Sequence, residues 1–432
     1  MPINFTGSAT SRIIVSDDSD TWVTLAADTI TASGTGFEIG DHRYLTYIMG
    51  GTISATADGI SAGSDSSGNI INILETGTVM GNQNGISFAG TGHQLLNQGT
   101  VTGTDGIGIV LAEDGYSDTA ITNTGTINGG TVGVVLGYLP GGRGGSINNT
   151  GIITGGDAGV RIGSDDVSVV NTGTITGDIG LEVISRLQGA PVHDVNVVQN
   201  AGLIEGTTGT AILGGLGDDI ITNTGTIIGD VDLQDGADEY TATRGTTDGD
   251  VYGGNGDDIL SGSATRDYLF GDDDNDILYG KRGGDTLFGG KHNDIVKGGV
   301  GADLISGGKN NDQLFGGSQD DVLEGDSGKD MLYGGNGADR LNGGTGNDQL
   351  TGGGGGDVFI FDGNVGTDKI YDFENTIDQI DLSAYGVTFA TVDAALDLSG
   401  SNAILDIGEL GGSGKLIILG AAGQIDASDF IL

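Results

Sequence analysis

Twelve consecutive nonapeptides occupy residues 253–360 without an insertion, and they constrain the fold more than any other feature of the sequence. The first three are GGNGDDILS, GSATRDYLF and GDDDNDILY. In every copy position 1 is glycine, position 6 is aspartate, and position 8 is Leu, Ile, Val or Phe. One short copy cannot bury its apolar face alone, so the copies must stack as a regular solenoid.

The residue types of the nonapeptide indicate a purpose for this stack. Glycines permit a tight turn with inward carbonyl oxygens, and aspartate adds a hard anionic oxygen. Such ligands suit Ca²⁺, whereas Zn²⁺ and copper prefer nitrogen and sulfur. Position 8 then places an apolar side chain in a thin core between two short strands. Two nonapeptides complete one turn, so each aspartate can serve ions shared by repeats n and n+2.

The candidate metal ligands follow from this pattern. A further copy, GGLGDDIIT, lies at residues 214–222, before the array. The predicted ligands are Asp219, Gly253, Asn255, Asp258, Asp276, Asp285, Asp294, Asp303, Asp312, Asp321, Asp330, Asp339, Asp348 and Asp357. The turn 262–267 is expected to bind metal weakly or not at all, because Thr265 is β-branched and fits a left-handed backbone poorly.

The nonapeptides resemble those of the repeats-in-toxin family, which are secreted calcium-binding proteins of Gram-negative bacteria. GGVGADLIS, GGNGADRLN and GGTGNDQLT carry the likeness, which spans residues 253–360. The C-terminal stretches DKIYDF, DQIDLS and DASDFIL are also similar to the family's type I secretion region. The resemblance implies a parallel β-roll with several Ca²⁺ ions in its turns, and export in one step from the cytoplasm to the medium.

The N-terminal half repeats on a longer period. LNQGTVTG, TNTGTING, NNTGIITG and VNTGTITG are examples, and their central glycines recur every 22 to 29 residues. Gly, Thr, Asn and β-branched residues favour short strands over helix. A parallel β-helix of about eight coils is the simplest fold, and stacked asparagines such as Asn123 and Asn149 are expected to bond to each other's backbone at its turns.

The sequence therefore predicts an all-β chain: a right-handed parallel β-helix, a calcium-binding parallel β-roll and a small β-rich C-terminal cap. The predicted segments are an N-terminal cap (1–45), the β-helix (46–240), the β-roll (241–360), and the cap with the secretion region (361–432). TVDAALDL within the last segment is a candidate short helix.

Charge and composition limit the partners. The formal net charge is -44, so nucleic acid is disfavoured as a partner and cations are favoured. There is no cysteine, which excludes disulfides and thiolate metal sites. No apolar stretch approaches the ~20 residues that span a bilayer, and MPINFTGSATSRIIV lacks a signal-peptide pattern. We expect no membrane insertion, and export without a cleaved N-terminal signal.

Two functions remain open at this point. The first is an exported calcium-dependent structural protein (surface layer, filament, matrix or adhesin) that self-assembles through its solenoid ends or binds cell-surface polysaccharide. The alternative is an extracellular carbohydrate-active enzyme with its site on the β-helix. Its candidate groups are Arg161 with Asp165 and Asp166, Glu182 with Arg186, and His193 with Asp194. Each has a plainer interpretation as a solvated turn or loop, so no catalytic residue is assigned.

Overall fold

The structure is a computed structural model that divides into two compact units. Unit 1 comprises Met1–Glu239 and Arg244–Gly249, and unit 2 comprises Tyr240–Thr243 and Asp250–Leu432. The residues that it describes are 3–5, 13–15, 22–25, 29–39, 46–63, 66–112, 119–137, 144–163, 166–184, 195–421 and 423–432. The predicted all-β parallel solenoid architecture is confirmed. No helix within the described ranges is long and apolar enough to span a membrane.

Unit 1 is a parallel β-helix whose coils contribute strands to three columns. The first column contains Ile3–Phe5, Trp22–Leu25, Thr46–Met49, Ile70–Ile73, Gln94–Asn97, Ala120–Asn123, Ser146–Asn149, Ser168–Asn171, Asn196–Asn200 and Asp219–Asn223. The second contains Thr29–Ala32, Thr52–Ala55, Thr78–Gly81, Thr100–Gly103, Thr126–Gly129, Ile152–Thr154, Thr174–Gly177, Leu203–Leu213, Thr226–Asp232 and Thr246–Asp248.

The third column contains Ile13–Val15, Phe37–Ile39, Ile60–Ala62, Ile86–Ala89, Ile107–Ala112, Val132–Leu136, Ala158–Ile162 and Ile179–Val183, followed by the later parts of Leu203–Leu213 and Thr226–Asp232. Strands from the predicted N-terminal cap pair in these same columns. Trp22–Leu25 pairs with Thr46–Met49, for example, and Phe37–Ile39 pairs with Ile60–Ala62. The described part of residues 1–45 thus continues the coils.

Asparagines form a hydrogen-bonded ladder inside unit 1. Each rung donates from Nδ2 to Oδ1 of the asparagine in the next coil, over 2.8 to 3.0 Å. Nδ2 also donates to a main-chain carbonyl of that next coil, as from Asn123 to Ile152 O at 3.1 Å. The ladder contains Asn97, Asn123, Asn149, Asn171, Asn200 and Asn223, all of them buried. The asparagine side chains therefore bond to each other as well as to the main chain of the next coil, and the sequence predicted only the bonds to the main chain.

The position of an asparagine in this ladder predicts how much unfolding free energy is lost when it is replaced. Asn149→Ala removes a donor and an acceptor between two buried rungs and should cost about 2–4 kcal/mol of unfolding free energy. Asn97→Ala is the matched control, because Asn97 Oδ1 is already buried without a partner and the preceding coil has Ile73 in register. Urea unfolding of both variants in calcium measures the difference. Equal losses at the two positions would contradict the ladder.

Unit 2 contains a flattened roll of two parallel sheets. The front sheet contains Ile259–Ser261, Ile277–Arg282, Ile295–Val300, Gln313–Ser318, Met331–Asn336, Gln349–Gly354, Asn364–Ile370 and Ser413–Ile418. The back sheet contains Val251–Asn255, Tyr268–Asp273, Thr286–Lys291, Leu304–Lys309, Val322–Gly328, Arg340–Asn342 with Thr345–Gly346, Val358–Ile360, Gln379–Asp381 and Phe430–Ile431. The strand Glu239–Ala242 spans the sequence boundary between the units.

The position-8 residues form the thin core of the roll, as the sequence predicts. All twelve side chains, from Leu260 to Phe359, are completely buried. Consecutive residues in each sheet lie 18 positions apart and in register, as Leu278 does with Val296. Two nonapeptides therefore complete one coil.

The cap follows the roll in sequence and contains a short helix, Phe389–Ala395, which begins two residues before the predicted stretch TVDAALDL, and Leu396–Asp397 of that stretch form a strand. Its antiparallel strands are Leu396–Asp397, Ala403–Asp406 and Ser413–Ile418. Single 3-10 turns lie at Ser383–Tyr385, Ile407–Leu410 and Ala427–Asp429. Ser413–Ile418 pairs with Asn364–Ile370 on its other side, so the antiparallel strands cover this edge of the front sheet.

Candidate metal centre

The position-6 aspartates of the array form a ladder along each edge of the roll. The Asp276 edge consists of the turns that enter the front sheet, and the Asp285 edge consists of those that enter the back sheet. The main-chain N–H of each aspartate donates to Oδ1 of the aspartate two repeats later, as from Asp276 to Asp294 at 2.8 Å. From Asp258 to Asp339 every such distance is 2.8 or 2.9 Å. The next coil thus orients each carboxylate through one oxygen.

The second carboxylate oxygen, Oδ2, has no partner in most of these turns. It is buried and makes no hydrogen bond in Asp276, Asp285, Asp294, Asp303, Asp312, Asp321, Asp330, Asp339, Asp348, Asp357 and Asp368. Within the described ranges, no lysine or arginine forms an ion pair with these residues. A buried carboxylate without a compensating charge is unfavourable by several kcal/mol. A row of such oxygens fits a cation that prefers oxygen ligands, as Ca²⁺ does.

Burial perturbs the titration of these carboxyl groups. Desolvation raises the pKa of Asp276 to about 9, of Asp330 to about 8 and of Asp321 to about 7. Neighbouring carboxylates on the same edge raise these three pKa values further, and the main-chain N–H bond to Oδ1 opposes the shift. Without a metal ion, the carboxyl groups of Asp276 and Asp330 therefore favour the protonated form near neutral pH.

The invariant glycine at position 1 makes room for the carboxylate of its own repeat. A Cβ at Gly316 would lie 2.5 Å from Asp321 Oδ2, and one at Gly307 would lie 2.6 Å from Asp312 Oδ2. Position 2 instead requires a left-handed backbone, with φ of 120° at Gly317 and 72° at Lys281. Position 1 is therefore restricted by the space that Oδ2 needs, and position 2 by conformation.

The turn 262–267 has a different conformation from the others. Neither Ser263 nor Thr265 has a positive φ, although both stand where other repeats have one. The N–H of Ser263 donates to Asp267 Oδ2 at 2.6 Å, and its hydroxyl lies 3.1 Å from the same oxygen. Asp267 is thus satisfied by its own turn, and the weak metal binding expected of this turn stays a prediction.

The other predicted ligands lie as follows. Asp219 is buried in unit 1, where Oδ1 accepts from Asn196 Nδ2 at 2.9 Å and Oδ2 accepts from the Gly215 N–H at 3.2 Å. Asp258 is buried and Asn255 is exposed. A Cβ at Gly253 would overlap Asp258 Oδ2. The assignment of all fourteen predicted residues as metal ligands stays a prediction.

No group of three or more acidic or histidine side chains converges in the described chain. Side chains alone therefore cannot complete the six to eight oxygens that Ca²⁺ takes. The remaining ligands would be main-chain carbonyl oxygens, which the glycine-rich turns supply without steric hindrance. The position-6 aspartates would hold the ion and neutralise its charge.

Comparison with known families identifies the array. The family model described as the RTX calcium-binding nonapeptide repeat (4 copies) matches residues 252–287, 288–323 and 324–359 in direct succession. Residues 252–359 are RTX calcium-binding repeats. Repeats of this kind are typical of secreted proteins, and the matched part is a quarter of the chain.

The solved structures include a protein that is similar to part of this chain. The solution structure of the AlgE6R3 subunit from the Azotobacter vinelandii mannuronan C5-epimerase is 29% identical, and the match covers 29% of this chain and 80% of that one with a TM-score of 0.25. No curated protein matches the chain.

The raised pKa values predict how pH acts on the calcium-free RTX roll. A group whose pKa is higher in the folded state stabilises that state at low pH, and this contribution is lost as pH rises through the folded pKa. The contribution is full below the unfolded pKa of about 3.9, and its loss is complete only above the folded pKa values, which run from about 6 for Asp312 to about 9 for Asp276. In calcium-free buffer we therefore expect more β-structure at pH 5.5 than at pH 8.5.

Far-UV circular dichroism of the dialysed chain measures this effect. The matched control is a titration in saturating calcium, where the signal should not fall between pH 7 and 8.5. More β-structure at pH 8.5 than at pH 5.5 without calcium would contradict the expectation.

The polar candidates on the β-helix are only partly described. Arg161 and Glu182 lie in register on adjacent strands, and Arg161 Nε donates to Glu182 Oε2 at 2.6 Å. The two charges neutralise each other. Asp166 Oδ1 accepts from the Val195 N–H at 3.4 Å. Asp165, Arg186, His193 and Asp194 lie outside the described residues.

Sequence reasoning missed Asp368, which lies after the matched repeats. It is buried, its Oδ1 accepts from the Asp348 N–H at 2.9 Å, and its Oδ2 is unpartnered. The signal is GNVGTDKIY at 363–371, which keeps glycine at position 1, aspartate at 6 and an apolar residue at 8. Two extra residues, Phe361 and Asp362, displace it from the nine-residue step.

Proposed function

We propose that this chain is an exported, calcium-dependent structural protein of the cell exterior: part of a surface layer, filament or matrix, or an adhesin. The observation that carries the proposal is the row of buried carboxylate oxygens without partners in the RTX roll. Such a roll is unfavourable where calcium is scarce. It becomes favourable where calcium is abundant, because metal binding then supplies folding free energy.

This chemistry supports export before folding. Extracellular calcium modules bind at about 10⁻⁴ to 10⁻³ M, so they stay empty in a calcium-poor cytoplasm. An unfolded, acidic, glycine-rich segment suits one-step passage to the medium, and we infer type I secretion from a Gram-negative bacterium. The C-terminal residues Phe430–Ile431 pair with Gln379–Asp381 in the folded cap. Recognition of this end by an export machinery would thus precede folding.

Assembly through the solenoid ends forms the second part of the proposal, with cell-surface polysaccharide as a further partner. An end coil offers unpaired N–H and C=O groups to a neighbouring chain. In unit 2 the antiparallel strands Ala403–Asp406 and Ser413–Ile418 already cover the end of the front sheet. Association at that end therefore has to use another edge.

Negative-stain electron microscopy of the purified chain tests the proposal. We expect ordered assemblies in millimolar calcium and none in excess chelator. Single particles in calcium at high protein concentration would remove the assembly role and leave calcium-dependent folding intact. Retention of the chain inside a host that carries a type I system would contradict the proposed export.

A further inference from the structure

The aspartate turns occur in two states, open and closed. In a closed turn, Oδ2 accepts the main-chain N–H of the residue four positions earlier. The three cases are Gly215 to Asp219 at 3.2 Å, Ser263 to Asp267 at 2.6 Å and Glu374 to Asp378 at 2.7 Å. In an open turn Oδ2 is buried and has no partner. The open state marks the carboxylates that still lack a counter-charge.

The backbone at position 2 distinguishes the two states within the array. In the open turns that residue has a left-handed φ, for example 74° at Asp272 and 117° at Gly290. Gly215, Ser263 and Glu374 have no such φ, and their N–H groups bond to the carboxylate. Within the array, a left-handed residue at position 2 therefore accompanies an open carboxylate, whereas the turn of Asp368 is open although Asn364, at its position 2, has no left-handed φ.

Asp368 continues the open ladder beyond the matched repeats, on the Asp276 edge. It is 1% exposed, and its Oδ2 is among the buried atoms without a partner. Gly366 stands where the array has position 4, since a Cβ there would overlap Gly346 O. Ile370 is fully buried and in register with Leu350. The turn thus reproduces the position-6 and position-8 features of an RTX repeat. It differs at positions 2 and 4, because Asn364 and Gly366 have no left-handed φ, and at position 1, because a Cβ at Gly363 would meet nothing within 4 Å.

The opposite edge ends differently. Asp378 accepts from the Asp357 N–H at 2.9 Å through Oδ1, as a further rung would. Its Oδ2, however, accepts the Glu374 N–H at 2.7 Å, so this turn is closed. Two aspartates of the cap therefore occupy equivalent places in the two ladders, and only Asp368 has an unsatisfied oxygen.

No side-chain cation neutralises Asp368. In the described part of the chain it forms no ion pair, and Lys369, its neighbour in sequence, is exposed. Burial raises its pKa to about 7, and the nearby Asp348 carboxylate raises it further. A divalent cation would satisfy the open oxygens of both Asp348 and Asp368.

We propose that Asp368 is a calcium ligand, so that a further ion is held between Asp348 of the last repeat on this edge and the cap. The strand that carries Asp368, Asn364–Ile370, pairs with Ser413–Ile418, which in turn pairs with Ala403–Asp406. Calcium at this position ties the folding of the cap strands to metal binding. The inference rests on calcium binding by the repeats and is independent of export and assembly.

Two variants of the full chain test the proposal. Asn preserves the Oδ1 acceptor of either aspartate and replaces only Oδ2. Asp368→Asn should bind one calcium ion fewer by equilibrium dialysis, and should need about tenfold more calcium to protect residues 413–418 from hydrogen exchange. Asp378→Asn is the matched control, because its turn is closed, and it should keep the wild-type stoichiometry. Full stoichiometry and an unchanged calcium midpoint in Asp368→Asn would overturn the proposal.

A measurement on the unmodified chain covers the case in which Asp368→Asn does not fold. Crystals grown in calcium and measured for calcium anomalous scattering should show a peak beside Asp368 and none beside Asp378. A crystal with peaks at Asp294 and Asp312 but none at Asp368 would equally overturn the proposal.

Discussion

Removing calcium at neutral pH is expected to unfold the RTX roll of unit 2 and to leave the asparagine-laddered coils of unit 1 folded. Each open carboxylate of the calcium-free roll must either stay charged in a buried position or take up a proton. Protonation at pH 7 costs about 4 kcal/mol for a group with an unperturbed pKa near 3.9. The summed cost over the eleven groups exceeds the ~5–15 kcal/mol of unfolding free energy by which a domain is stable.

Hydrogen exchange measured by mass spectrometry resolves the two units separately. Peptides from residues 268–360 should be protected in millimolar calcium and should exchange freely in chelator. Peptides from the strands that carry the asparagine ladder should be protected in both, because the buried amides of the ladder are satisfied without a metal ion. Magnesium is the control cation, and it should protect the roll poorly because it requires octahedral geometry and dehydrates reluctantly. Protection of the roll in chelator would refute the expected coupling.

A single methyl group at position 1 is expected to disable one RTX turn. In Gly352→Ala the new Cβ would overlap Oδ2 of Asp357, the oxygen left open for calcium. The turn must shift or the carboxylate must leave its place. We expect a loss of about 1–3 kcal/mol in calcium from overpacking, and one bound calcium ion fewer.

Gly354→Ala in the same repeat is the matched control. Its Cβ would meet only Asn336 Oδ1, at 3.8 Å, and Gly354 has no positive φ. This variant should keep the wild-type calcium stoichiometry and unfold at the same urea concentration. Calcium titration and urea unfolding of both variants provide the comparison. Similar losses in the two variants would show that glycine serves backbone freedom at this turn and not space for the carboxylate.

The array and its chemistry were predictable from sequence because periodicity and residue type determine them locally. The position-8 column had to be buried, and Leu260 to Phe359 are. The aspartate column indicated calcium, and the family match to residues 252–359 confirms calcium-binding repeats. Strand-forming residues and the recurring asparagines indicated the coils of unit 1, and Asn123 and Asn149 do stack there.

The sequence singled out the turn 262–267 through Thr265, but only the tertiary structure showed how its carboxylate oxygen is satisfied while others remain open. Asp267 and Asp285 occupy the same position in the nonapeptide, yet only Asp285 has an unpartnered Oδ2. The difference depends on the backbone conformation of Ser263 and on the direction of its N–H. The position of Asp267 in the nonapeptide determines neither of these.

The register between one coil and the next also could not be predicted from the sequence. Asp368 joins the ladder because it lies beside Asp348, 20 residues away, where every earlier rung is 18 residues away. The pairing of Arg161 with Glu182 depends in the same way on the length of the coil between them. Sequence by itself determined the repeating unit, its core and its metal chemistry, because each is a property of nine residues. The coil-to-coil offset, and with it the number of open turns, was decided only by folding, because it depends on how one coil lies on the next.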